Sequence, residues 1–192
     1  MLNCLHLRLP RAHRGREAAK MGRLTTTTLT LLGALLLQII FAPSLTILGV
    51  TPNFLMVAVI ILAFIRGSKE GTIIGFVAGL LFDLIGTAAI GPMALALTLT
   101  GFVAGILKEQ IFAHSWVLPV TVLGIASLVA ETIYLIMITA LGLPMDFFIA
   151  LVSRALPGAL YAMLIAIVSL PALTKFLRLG ASADTNTFKR MT

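Results

Sequence analysis

The chain has 192 residues, 59% of them hydrophobic and 11% charged, with a formal net charge of +7. A soluble domain carries about 25% charged residues, so this composition excludes one and defines an integral membrane protein. The charge placement also excludes a basic nucleic-acid face. Of fourteen Lys and Arg, six precede residue 24, four follow residue 174, and only Arg66, Lys69, Lys108 and Arg154 fall between. That is the distribution of cytoplasmic ends and loops.

Residues 1–23 form a basic, polar lead with Arg8, Arg11, Arg14, Arg16, Lys20 and Arg23, expected to be disordered and cytoplasmic. Met21 opens its own short basic lead and is a rival start to Met1. A signal peptide is the other reading of this end. The apolar run that follows is too long for an h-region, and no A-x-A site closes it.

Six helices are predicted over 24–175. The first runs from Thr26 to Ile47 with an interruption near Pro43; its threonines are tolerated in lipid because each hydroxyl can bond a carbonyl one turn back. The second covers Asn53–Ile65. At about 1.5 Å per residue it measures about 20 Å, short of a hydrocarbon core of about 30 Å. It is a short span, extends into its flanks, or is re-entrant.

The third is GTIIGFVAGLLFDLIG, Gly71–Gly86. Gly71, Gly75 and Gly79 recur every four residues and so share one helix face, and Asp83 continues the spacing. Overlapping G-x-x-x-G units let a neighbouring backbone come close. Ordinary membrane packing is explanation enough for such a stripe. The fourth helix, Gly91–Leu107, repeats the letters GFVAG at Gly101–Gly105, 26 residues after Gly75–Gly79. Consecutive helices run in opposite directions, so this reads as convergent packing rather than duplication.

The fifth helix runs Trp116–Leu141 with Pro119 in its first turn, and the sixth runs Phe147–Leu173 with a kink expected at Pro157-Gly158. Residues 176–192 are a basic tail, expected to be disordered. Six spans put both termini and the Arg66 and Lys108 loops on one side. The opposite loops carry no Lys or Arg, which places the termini in the cytoplasm.

Nothing in the sequence argues for catalysis or a cofactor. Cys4 is the sole cysteine, and His6, His13 and His114 have no metal-ligand spacing. The residues that invite a functional reading are the intramembrane charges Asp83, Glu131 and Arg154, because a charge in a bilayer is normally paired or functional. The fifth and sixth helices are joined by a short turn, so Glu131 and Arg154 either pair or sit apart, with Arg154 snorkelling to the outer surface.

Pro52-Asn53-Phe54-Leu55, then Arg66-Gly67-x-x-Glu70-Gly71, then Gly75-Phe76-x-x-Gly79-Leu80-x-x-Asp83 resemble the bacterial rod shape-determining protein MreD family. Gly91, Leu95 and Gly101-Phe102 also fit; these letters cover about 52–105. The resemblance implies a non-enzymatic scaffold of the cell-wall elongation machinery in the inner membrane. It implies an MreC-like bitopic partner and, through it, an MreB-like filament, a RodA-like glycosyltransferase and a class B transpeptidase. It also implies a six-helix bundle similar to the substrate-binding S component of energy-coupling-factor transporters. That likeness supplies the alternative reading, a small-molecule-binding transporter subunit. On the family reading, Gly71, Gly75, Gly79, Gly101 and Gly105 pack helices, and Pro52, Asn53 and Asp83 contact a partner on a surface made by the second to fourth helices.

Overall fold

The computed structural model describes residues 9–47, 49–86, 89–107, 117–142 and 146–190, and these form six helices. They are α1 (Leu9–Ile40), α2 (Phe54–Arg66), α3 (Ser68–Ile85), α4 (Pro92–Ile106), α5 (Val117–Ala140) and a composite α6. The last begins as Phe147–Ala150, widens into a π-helical turn at Leu151–Ala155 and continues as Leu156–Arg190. Among the described residues three stretches are long and apolar enough to cross a membrane: Met21–Ile40, Leu118–Ala140 and Phe147–Ala172. With the shorter apolar helices α2 and α4, the architecture is that of an all-helical, multi-pass membrane protein. Cys4, His6, Lys108, Glu109, His114 and Trp116 lie outside the described residues.

The chain divides into two units. One comprises Met1–Thr30 with Pro171–Thr192. Its described backbone is helical, and its threonines bond back along α1: Thr27 Oγ1 donates to Arg23 O at 2.8 Å and Thr30 Oγ1 to Thr26 O at 2.8 Å. The other unit, Leu31–Leu170, holds α2 to α5, the end of α1 and the first part of α6.

Within Leu31–Leu170 the core is built on α2. Every residue from Leu55 to Phe64 is buried. A helix that is apolar all round must be covered all round, and α3, α4 and α5 all pack against it. The helix stays short: it does not extend into its flanks, because Asn53 caps its start and Gly67 ends it.

Helix ends differ from the sequence expectation where propagation is easy. Helix α1 starts at Leu9, well before Thr26, and α6 runs past Leu173 to Arg190. An established helix extends at low cost, and the Ala, Arg, Glu and Lys of the lead are good helix formers. Helix α1 ends at Ile40, earlier than Ile47, and a 3-10 turn at Pro43–Leu45 follows. Proline suits that first position because it has no N–H to lose. In place of a simple kink at Pro157-Gly158, the chain makes the π-helical turn, closed by Leu156 N–H donating to Leu151 O. The widening falls just before Pro157, whose missing N–H would otherwise break the ladder at Ser153.

Candidate functional site

A single residue, Gly67, joins α2 to α3. Its N–H bonds Ala63 O at 2.8 Å, its carbonyl accepts from Gly71 N at 2.8 Å, and its φ of 95° with ψ of 178° is accessible almost only to glycine. The turn sends α3 back along α2, and α3 then meets α4 backbone to backbone. A Cβ on Gly71 would lie 2.5 Å from Gly101 O; one on Gly79 would lie 2.5 Å from Met93 O and from Ala94 Cα. A Cβ on Gly75 would run into Leu97 O, and one on Gly105 into Ser68 N and Cα. All five glycines therefore lie in one seam inside the chain. The seam is filled by α4, so it is not an open groove for a partner's helix.

The far end of the pair is closed by Asp83, which is buried. Its carboxylate accepts from Gly91 N at 2.9 Å, Met93 N at 3.2 Å and Ala94 N at 3.0 Å. These are the free donors at the start of α4, where the helix dipole favours a negative charge. The aspartate of α3 thus caps a different helix and fixes the connection between them.

The start of α2 is capped in a similar way. Asn53 Oδ1 accepts from Met56 N at 2.9 Å. Gln38, from α1, accepts Phe54 N at 2.8 Å through Oε1 and donates Nε2 to Pro52 O at 3.2 Å. Tyr161 of α6 donates to Leu45 O at 2.8 Å and so straps the 3-10 turn. Pro52, Asn53 and Asp83 were expected at a partner surface. All three are buried, and Asn53 Oδ1 and both carboxylate oxygens of Asp83 are engaged within the chain. A lone glutamine in the apolar run 31–42 was the available signal for Gln38, since an amide in lipid needs a partner. Tyr161 left no comparable signal, because its acceptor is 116 residues away in sequence.

The α5–α6 seam is different. Leu135 clusters with Ala150 and Ala155, with Leu128 and Leu151 alongside. That register puts Arg154 at the depth of Glu131. The two interact electrostatically, with no direct ion pair among the described residues. Glu131 is half-buried and Arg154 exposed on the π-helical turn, while the Ser127 hydroxyl, one turn from Glu131, is buried with no hydrogen-bond partner. Among the described residues, no group of three or more His, Cys, Asp or Glu lies close enough to hold a metal ion.

These features define a multi-pass helical membrane protein whose buried polar side chains Asn53, Asp83 and Thr100 bond to its own backbone. The family model for rod shape-determining protein MreD matches residues 19–179, and the chain belongs to that family. The family is one of non-enzymatic cell-shape proteins, and membership gives this chain a role in rod-shape determination within the rod-shape complex. Neither the curated proteins nor the solved structures contain a match.

Proposed function

We propose that the protein is an inner-membrane scaffold of the rod-shape complex that holds the transmembrane helix of an MreC-like bitopic partner. Through that partner it is linked to an MreB-like filament, a RodA-like glycosyltransferase and a class B transpeptidase. The observation that carries this reading is the family match, which covers almost the whole helical part of the chain. The working membrane unit is 24–175, a bundle similar to the S component of energy-coupling-factor transporters, with the basic lead and tail in the cytoplasm. The positive-inside count supports that orientation.

Asp83, Asn53 and Pro52 serve the partner from within, by fixing the starts of α2 and α4. The direct polar contact is Arg154, which is exposed on a span and makes no direct ion pair among the described residues. Polar groups of this kind join helices in lipid, where apolar burial supplies little drive. The test is co-purification of an MreC-like partner from detergent. Wild-type protein and Asp83→Asn should retain it, the latter with a lowered melting temperature but still folded, and Arg154→Ala should release it while keeping the wild-type melting temperature within a few degrees. Undiminished capture by Arg154→Ala removes that residue from the contact. Specific binding of a vitamin-sized ligand, with no partner retained, favours a transporter subunit instead. Orientation is read separately, in a Cys4→Ser background. A cysteine at Ser182 should be shielded from an impermeant thiol reagent in intact cells, and one at Thr46 should react.

A further inference from the structure

The lipid-facing surface of Leu31–Leu170 has two different heights. On α3 the exposed large apolar side chains run from Ile73 to Ile85, and on α4 from Leu95 to Ile106. At about 1.5 Å per residue these bands measure about 18 Å and about 17 Å. On α5 the corresponding band runs from Leu118 to Ile136, and on α6 from Phe148 to Val168. These measure about 27 Å and about 30 Å, close to an ordinary hydrocarbon core.

The short bands have firm ends. At one end stand Ser68, Lys69 and the Arg66–Glu70 ion pair. At the other, α3 ends at Ile85 and α4 begins at Pro92; the described residues between them, Gly86 and 89–91, lie outside any helix, and Asp83 takes only the N–H groups of Gly91, Met93 and Ala94. Backbone polar groups need water or the headgroup region, so the bilayer boundary must come down to this connection. Its exposed Ile90 suits that boundary. Nor can the pair stretch: the glycine seam holds the two backbones in contact along their length. Helix α4 also packs against α5, so the short and the full-height surfaces are neighbours.

We propose that the α3–α4 face is a lipid-binding surface selective for a thin bilayer. It thins the membrane locally or gathers short-chain lipids, while the α5–α6 face accepts lipids of ordinary length. A surface shorter than the surrounding hydrocarbon either draws the bilayer in or selects lipids that match it. The occupant is therefore lipid of small hydrophobic thickness rather than another protein's helix.

The experiment places one tryptophan on each face in a Trp116→Phe background: Phe76→Trp on α3, Phe102→Trp on α4 and Leu160→Trp on α6. Each variant is reconstituted in phosphatidylcholine mixtures containing brominated dimyristoleoyl, dioleoyl or dierucoyl chains, and quenching gives the relative affinity at that face. Circular dichroism checks that each variant is folded. Tryptophan at 76 and 102 should favour dimyristoleoyl over dierucoyl chains by about threefold or more, whereas tryptophan at 160 should favour dioleoyl chains. The same chain-length order at all three positions overturns the proposal. So does a lack of quenching at 76 and 102 by any lipid, since that means protein covers the face.

Discussion

The α3–α4 seam and the α5–α6 seam are both helix pairs in a membrane protein, and they are built on opposite plans. In the first, glycines bring backbone against backbone, and the one buried carboxylate is fully engaged by N–H groups. In the second, side chains do the packing. The nearest atoms to a Cβ on Gly124 of α5 would be side-chain atoms of Met163 on α6, at 2.6 Å. Here Ser127 finds no partner, and Glu131 and Arg154 lack a direct ion pair. The contrast separates rigidity from reactivity. Backbone contact in lipid gives van der Waals packing that cannot shift. Side-chain contact can adjust, and it leaves polar groups for other uses.

The largest expected effects lie in the first seam. Gly75→Ala puts a methyl group into the Leu97 carbonyl, and neither backbone can move away. Overpacking typically costs about 1–3 kcal/mol, and we expect at least the top of that range or loss of folded protein, read as yield and thermal unfolding in detergent. Gly124→Ala is the matched change in the second seam. Met163 can change rotamer, so the cost should be about 1 kcal/mol or less. Equal effects at the two positions would erase the contrast.

Next in size is Asp83→Leu. It leaves three N–H groups without acceptors, and at about 1–3 kcal/mol for each unsatisfied buried group the fold should lose several kcal/mol. Asp83→Asn keeps one acceptor oxygen and should cost about half as much, seen in the same melting experiment. Smaller again is Gln38→Leu, which removes the acceptor for Phe54 N and the donor to Pro52 O. The expected loss is about 1–2 kcal/mol, on the scale of a missing helix cap. Tyr161→Phe deletes one hydrogen bond and should cost about 0.5–1.5 kcal/mol, with faster proteolysis at the Pro43–Leu45 turn as its local sign. The smallest effect on the fold belongs to Arg154→Gln, because the side chain is exposed and makes no direct ion pair. Its melting curve should overlay the wild type.

Legible in the sequence alone were the membrane class, the order of the apolar helices, the approximate limits of α2 to α5, and the face shared by Gly71, Gly75 and Gly79. These follow from composition and from the helical period, both of which are local. The sequence also carried the family through the letters of 52–105, which lie within the matched region. What the glycine face touches, that Asp83 caps α4 rather than reaching outward, and that Gln38 and Tyr161 fasten the first connection came from the three-dimensional fold alone. Each of these depends on a partner that is distant along the chain or on another helix, and periodicity does not name partners. The π-helical turn before Pro157 was hidden for a related reason. Proline announces a lost hydrogen bond, but the surrounding packing decides whether the helix bends or widens to absorb it.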